Sequence, residues 1–359
     1  MKYMKLLFTT VHPAPYFDRL FSYFSQKGVD VEAWYEFSKV EEKNWKTYHP
    51  KSVHLYKEKS FLSKALHFSK FDFVILHWGN KENILIALIL KIKGKKFAYY
   101  LDHPDPSSSK TKGFVYIFKK AIMKMATYMF PACYSCADYL KEIYKINDEN
   151  IRVWPYSHSE APKTINVVNA ERIKAIHNGA KVKLLIASRF IERKGYSIVF
   201  QAFKSLASQG VLSEYDINVV GNGELYEEYK SKFSKLTPFI HFFGWIENDD
   251  YERMLNETDV YLHPSLFEPF GIPPLDAMER KKFVVSTDAV KSMDIFTNVS
   301  GVKIYPAYDS MALAKILKYI IKNKDEIYSW TENNPRFVQQ KYSMNVNYNV
   351  LCNESISKR

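Results

Sequence analysis

The chain has 359 residues, with 51 Lys and Arg against 39 Asp and Glu, a formal net charge of +12, and 47% hydrophobic residues. This composition excludes disorder, collagen and small disulfide scaffolds, and at roughly 100–200 residues per domain the length predicts two domains. The surplus positive charge suits a polyanionic partner: nucleic acid, an anionic membrane surface or a phosphorylated substrate.

Met1–Lys5 carries charge, but Leu6, Leu7 and Phe8 run at once into Thr9 and Thr10. That apolar core is too short for a signal peptide, so a cytoplasmic protein is expected, with its first strand starting immediately. Short runs rich in β-branched and aromatic residues then predict strands over Lys5–Thr10, Val29–Tyr35, Val53–Tyr56, Phe73–Trp78, Lys96–Leu101, Tyr128–Tyr134 and Arg152–Tyr156. Amphipathic helical stretches such as Tyr16–Gln26 and Phe114–Thr127 alternate with them, the pattern of βα units building a parallel sheet. The longest apolar run, Ile84–Leu90, is stopped by Lys91, far short of the roughly 18–20 residues of a membrane span. Cys133 and Cys136 have the spacing of half a zinc or redox site, but the only other cysteine is Cys352, so they read as packed core residues.

A polar segment from His158 to Asn178 interrupts the pattern. A second strand series follows over Lys183–Ser188, Ile217–Val220, His241–Phe243, Val260–His263, Phe283–Ser286 and Val302–Tyr305, and then helical patterns over Met311–Asn323 and Phe337–Cys352. The expectation is α/β: two Rossmann-like domains with parallel sheets, 1–168 and 169–336, the first completed by 337–359. In such sheets ligands bind at the carboxyl ends of strands, and two domains facing each other would enclose a deep cleft suited to a small molecule.

The residues after the strands of the second series are therefore the informative ones. The first ends in Ser188-Arg189-Phe190 with Lys194-Gly195 downstream, cations placed where a phosphate also meets helix N-terminal amides; a solvated basic loop is the plainer reading. The next ends in Gly221-Asn222-Gly223-Glu224, permitting a tight turn and close backbone approach to a ligand, or simply a β-turn. The third ends in Gly244-Trp245-Ile246, which could hold a flat base, with Trp245 equally suited to a core. The fourth runs from His263 through Glu268-Pro269-Phe270-Gly271-Ile272 and opens a helix on Pro273-Pro274-Leu275-Asp276-Ala277-Met278. Backbone amides around Phe270–Ile272 would face an anion. Glu268 and Asp276 stand eight positions apart, roughly 12 Å along a helix, so they suit two ends of one extended ligand better than a close acid–base pair.

Four such motifs in this order resemble the retaining glycosyltransferases of the GT-B fold, most closely glycosyltransferase family 4. That family reads Gly-Arg-Leu with a downstream Lys-Gly, a Gly-x-Gly loop, a Phe-x-Gly strand end, and Glu-x-Phe-Gly-x-x-x-x-Glu-Ala-Met. The resemblance implies that Arg189 and Lys194 bind the donor's diphosphate, that Glu268 contacts sugar hydroxyls, and that Asp276 stands where a glutamate holds the ribose. It also implies that Gly221, Gly223, Glu224, Trp245, Ile246, Phe270, Gly271 and Ile272 surround the donor. Ser188 departs from the family's glycine, Asp276 is one methylene shorter than Glu, and Lys282 occupies a region where glycine is common.

The first half matches less. His12-Pro13-Ala14-Pro15-Tyr16 follows the first strand without the family's glycine pair, and Asp102-His103-Pro104-Asp105 follows Leu101. In the family a histidine at this strand end points at the donor sugar, which makes His103 a candidate for the reaction centre; an Asp-His-Pro turn is also sound turn chemistry. Residues 110–130 mix Lys110, Lys112, Lys119, Lys120 and Lys124 with Phe114, Tyr116, Ile117, Phe118, Ile122 and Met123. They read as a basic amphipathic helix that can lie on anionic lipid, or as a helix packed on its own sheet with snorkelling lysines.

The resulting expectation is a metal-independent transferase without a resident cofactor, acting at the inner membrane face. It would move a hexose or N-acetylhexosamine from a uridine diphosphate donor to a saccharide acceptor, lipid-linked, for a surface polysaccharide. No Asp-x-Asp motif appears, and Asp249-Asp250 read as the start of a helix. The alternatives are a guanosine diphosphate donor, an epimerase or phosphorylase of the same fold, a catalytically silent scaffold, and a basic nucleic-acid-binding protein. No nucleic-acid motif supports the last.

Overall fold

The computed structural model describes residues 4–37, 52–104 and 112–355. Of the stretches singled out above, Met1–Tyr3, Asp105, Lys110 and residues 356–359 lie outside the described residues. The chain divides into two units, Met1–Ser157 with Tyr342–Arg359, and His158–Lys341.

The first unit carries β1 (Met4–Thr10), α1 (Pro15–Gln26), β2 (Val29–Tyr35), β3 (Ser52–Leu55), α2 (Phe61–Phe68), β4 (Phe73–His77), α3 (Lys81–Ile92), β5 (Phe97–Leu101), α4 (Gly113–Met123), β6 (Tyr128–Pro131) and α5 (Tyr134–Glu142). Its strands form one parallel sheet in the order β3-β2-β1-β4-β5-β6. Every residue of β5 is buried, which explains why the sequence shows a continuous apolar run there instead of an alternating one. An aromatic core lies over this sheet: Phe8 touches Phe17 and Phe21, and Phe130 stacks on Trp154 with ring centroids 4.7 Å apart.

Helix boundaries follow local chemistry. The Asn80 side chain caps α3 by accepting from the backbone N–H groups of Glu82 (2.8 Å) and Asn83 (3.3 Å). Pro15 opens α1, where its missing N–H costs nothing.

The second unit carries α6 (Ile165–His177), β7 (Val182–Ala187), α7 (Tyr196–Ser208), β8 (Tyr215–Val220), α8 (Tyr226–Phe233), β9 (Ile240–Gly244), α9 (Asn248–Glu257), β10 (Val260–His263), α10 (Pro273–Glu279), β11 (Phe283–Thr287), β12 (Val302–Tyr305), α11 (Ser310–Lys322) and α12 (Ile327–Thr331). Its parallel sheet has the order β12-β11-β10-β7-β8-β9. The chain returns to the first unit through α13 (Asn334–Tyr342) and α14 (Met344–Ser355). There Tyr23 Oη donates to Asn345 Oδ1 (3.3 Å) and the Asn347 amide donates to the Pro155 carbonyl (2.9 Å).

Three expectations need correction. Arg152–Tyr156 does not form a full strand: Ile151 bridges Met129, and Arg152 N–H donates to Met129 O (3.0 Å) and Trp154 N–H to Pro131 O (2.8 Å), but Pro155 lacks the N–H that would continue the ladder. The polar segment 158–178 is no mere break, since it contains α6, anchored where Arg172 donates to both oxygens of buried Asp259 (3.0 and 2.6 Å). The division also falls at Ser157/His158, ahead of residue 168, because His158 and Ser159 bond to Glu279 and Asp276 of α10.

Candidate functional site

In the second unit the strand order reverses between β7 and β10, the switch point where loops diverge and leave a crevice at the carboxyl ends. The loops after those two strands carry Lys194 and Glu268, and the structure brings them into a direct ion pair. His263, the last residue of β10, is buried beside it. Its Nε2 lies 3.9 Å from Glu268 Oε2 and 3.3 Å from Ser265 Oγ. Burial alone would push the Glu268 carboxyl up, but His263 and the Lys194 charge outweigh it and hold the group at about 2. The same burial pushes the His263 imidazole down, so it stays neutral at pH 7. The site thus presents a carboxylate that stays ionised at neutral pH, fixed between a cation and a neutral ring.

Gly195 makes that approach possible. It sits at φ +72°, and a Cβ there would overlap the Pro264 carbonyl oxygen. The sequence assigned Lys194 to phosphate and Glu268 to sugar as separate tasks; the folded chain couples them. His263 was not singled out, although a histidine ending a strand five residues before Glu268 was the available signal.

Arg189 follows β7 on the exposed side of the same loop. Next to it the Ser188 hydroxyl donates to Tyr196 Oη (3.0 Å), and Phe190 stacks on Tyr196 at 3.9 Å. So Ser188, unusual in its motif, is engaged in holding the loop. Gly221 and Gly223 belong to the adjoining loop after β8, at φ +130° and +156°. A Cβ on Gly221 would overlap the Ser188 carbonyl oxygen, and one on Gly223 would lie 2.6 Å from that of Phe190. These glycines therefore serve contact between neighbouring loops. The loops are laced by Phe190 N–H to Asn222 O (3.0 Å), Ser188 N–H to Val220 O (3.0 Å) and Gly221 N–H to Gly244 O (2.7 Å). Glu224 is exposed, Ile246 half-buried, and Trp245 is 54% exposed, so Trp245 is no core residue.

The loop from Glu268 to Gly271 is pinned to 289–292. Glu268 N–H donates to Ala289 O (3.1 Å), Ser292 N–H to Phe270 O (2.8 Å), and Ser292 Oγ to Gly271 O (2.8 Å). Phe270 is buried and Ile272 half-buried at the start of α10. Asp276 is also buried, and its Oδ1 accepts from the Ser159 N–H (2.5 Å) and hydroxyl (2.9 Å). The shortened carboxylate is thus tied to the entering chain. Beneath it Arg280 is fully buried, donating to the Asp276 carbonyl (2.9 Å), Asn256 Oδ1 (2.9 Å) and Glu252. Lys282 is buried too, its amine bonded to Asn169 Oδ1 and Asn256 O (2.6 Å each), and burial pulls it down to about 7.

In the first unit, His103 Nδ1 donates to the Pro104 carbonyl (2.8 Å). Tyr156 Oη donates to Asp102 Oδ2 (3.0 Å). His77, ending β4, is held at about 4 by burial and by the nearby His12. Among the described residues no group of three His, Cys, Asp or Glu side chains is placed to hold a metal ion, and no helix is long and apolar enough to cross a membrane.

Two Rossmann-like units, each built on a parallel sheet, with a charged constellation at the strand ends of the second, define the GT-B class of glycosyltransferase fold. The structure of Anabaena Alr3699/HepE in complex with UDP and glucose superposes with a TM-score of 0.72 at 15% identity, over 97% of this chain and 98% of that one. Residues 168–337 match the model of the glycosyl transferases group 1 family. Two curated relatives align over part of their length. A 41.2 kDa protein in the cps region of Klebsiella pneumoniae is 26% identical over 238 residues, 60% of this chain and 59% of that one. The amylovoran biosynthesis glycosyltransferase AmsK of Erwinia amylovora is 28% identical over 155 residues, 41% and 37% respectively. The chain thus spans between 37% and 59% of the length of these two relatives.

Proposed function

We propose that the protein is a retaining, metal-independent glycosyltransferase that moves a hexose or N-acetylhexosamine from a uridine diphosphate sugar to a lipid-linked saccharide in surface polysaccharide synthesis. The observation that carries this reading is the Lys194–Glu268–His263 cluster at the switch point, with Arg189 in the same loop as Lys194. When the bond from the anomeric carbon to the diphosphate breaks, its electron pair goes to a phosphate oxygen, and negative charge grows there. Arg189 and Lys194 supply fixed positive charge against it, a task needing no metal. Glu268, ionised at all working pH, accepts from sugar hydroxyls, and Lys194 and His263 stop it from turning away. Trp245 and Ile246 offer a face for the base, Gly221, Gly223, Glu224 and Phe270–Ile272 border the diphosphate sugar, and Asp276 stands at the ribose. His103, in the loop after β5, is assigned to the sugar by its place at that strand end. The acceptor oxygen bonds to the anomeric carbon on the face the diphosphate leaves, and its proton departs with the diphosphate.

The relative in amylovoran biosynthesis and the UDP-bound neighbour favour this donor and this product class. Exposed Phe114, Ile117 and Phe118 on α4, beside Lys119, Lys120 and Lys124, favour peripheral attachment to the inner membrane face. A thermal-shift panel of uridine, guanosine and adenosine diphosphates and their sugar conjugates, without added metal, tests the reading. A rise in Tm with the uridine series alone supports it, since a ligand of the native state stabilises by mass action. A rise with the guanosine series alone moves the donor to the alternative base. A flat response from folded protein overturns the donor site.

A further inference from the structure

The positive charge is not shared between the units. Met1–Ser157 with Tyr342–Arg359 hold 27 of the 51 Lys and Arg and 16 of the 39 Asp and Glu, leaving 24 and 23 for His158–Lys341. Eleven of the twelve net charges therefore lie in the first unit. Within it, residues 57–124 contain 14 lysines, no arginine and only five carboxylates.

That stretch builds α2, α3 and α4. The crossovers β3→β4, β4→β5 and β5→β6 all step the same way along the sheet, whereas β1→β2 steps the opposite way. Right-handed crossovers thus place these three helices on one face of the sheet and α1 on the other. An ordinary surface helix turns a polar side outward. These three do not. On α3 the inner stripe is Ile86, Ala87 and Leu90, and Leu85, Leu88 and Ile92, spaced i, i+3, i+7, form a second apolar stripe facing out, with Ile92 85% exposed. On α2, Leu62 and Leu66 at i, i+4 are exposed in the same way. On α4, Phe114 is 81% exposed and stacks on Phe118, with Ile117 beside them. Lysines border the stripes: Lys91 and Lys93 flank Ile92, and Lys93 reaches the Ser69 hydroxyl at the end of α2 (3.2 Å).

We infer that the outer face of α2, α3 and α4 together is a docking surface for an anionic lipid bilayer, with α3 bearing on the membrane as directly as α4. The inference rests on the reading of the protein as a membrane-surface transferase and extends it from one helix to a three-helix face. Composition selects the occupant. Protein interfaces are depleted in Lys and enriched in Arg, whereas a face of aliphatic and Phe side chains whose cations are all lysines, outnumbering the carboxylates of the stretch 14 to five, matches an interfacial layer with negative headgroups.

The test is flotation of the full chain with phosphatidylcholine vesicles and with 3:1 phosphatidylcholine–phosphatidylglycerol vesicles. The wild type is expected to float with the anionic vesicles and stay behind with the neutral ones. Leu88→Glu/Ile92→Glu on α3 should lower the partition at least about tenfold, comparably to Ile117→Glu/Phe118→Glu on α4. Lys91→Gln/Lys93→Gln, which leaves the apolar stripe intact, should lower it severalfold. An unchanged unfolding midpoint and nucleotide thermal shift show that each variant remains folded. If the α3 variants float like the wild type and the α4 variant does not, the three-helix face is overturned and the α4 reading stands. If the wild type binds no vesicle while its donor response is intact, both membrane readings fail and the transferase reading stands. A dimer dissolved by Ile92→Glu, without vesicle binding, assigns the face to a second copy of the chain and overturns the lipid assignment.

Discussion

Glu268 shows how a single side chain acquires its properties from partners distant in sequence. Buried alone, its carboxyl would titrate high; against Lys194 and His263 it sits at about 2, below the ordinary value of 4.5. A depressed carboxyl adds stability that is complete above the unfolded value and is lost as pH falls from about 4.5 towards 2. Lys194→Met leaves the burial and removes the compensating charge, so the carboxyl rises and the acid-unfolding midpoint, followed by circular dichroism, should move to higher pH. The same variant should lose at least about a hundredfold in kcat, the scale of removing one fixed donor from developing charge. Asp276 separates two roles. Asp276→Ala strips the Ser159 N–H of its acceptor and should cost about 1–3 kcal/mol of stability. Asp276→Asn retains an oxygen for Ser159, so a raised donor KM at near wild-type Tm is expected of it, and an unchanged KM would remove Asp276 from the donor site. None of this coupling was legible in the sequence, where Lys194 and Glu268 are 74 positions apart and Ser159 and Asp276 are 117 apart.

At the scale of elements, the strands were legible because parallel sheets bury both faces and write themselves as unbroken apolar runs, as in Val260–His263, whose bounds agree with the structure. The misreadings have physical causes. Arg152–Tyr156 read as a strand because Arg152 and Trp154 do bond to β6 and Trp154 is buried against Phe130, but Pro155 ends that pairing before a strand forms. Helix α6 is held by a polar anchor, Arg172 on Asp259, and lacks the apolar stripe that would have announced it. The glycine motifs were legible as motifs, but their geometric reason lies in the neighbouring loop. Gly221→Ala should cost well over about 1 kcal/mol, because a side chain at φ +130° meets backbone that cannot rotate away; a chemical-denaturation midpoint unchanged from wild type would refute this. Lys282, at the start of β11, adds a pH signature. With a folded value of about 7 and an unfolded one of 10.5, the unfolded chain holds more protons between those limits, so stability should climb as pH rises through them. Lys282→Met should flatten that slope in denaturation curves taken from pH 7 to 10.

For the whole molecule, the division of charge assigns different salt sensitivities to the two units. Exposed charges are screened beyond roughly 10 Å at 0.1 M salt. Raising salt from 0.05 to 0.5 M should therefore depress transfer to a lipid-linked acceptor presented in anionic vesicles several times more than it depresses transfer to a short soluble acceptor. Equal losses with both acceptors would place the electrostatic dependence at the donor instead. Composition announced the charge, and its confinement to the first unit was already countable from the sequence, because moving the division from residue 168 to Ser157/His158 barely changes the tally.

The lacing of the strand-end loops in the second unit bears on how such a protein can be re-engineered. Ser188 and Phe190 bond to Val220 and Asn222, and Gly221 bonds to Gly244, so the segments after β7, β8 and β9 share one scaffold of backbone bonds. A graft that imports one of these segments from a relative with another sugar preference brings side chains shaped for different neighbours. Only a transplant of all three as a cassette carries its own fit with it, and natural drift in donor choice is bound by the same rule.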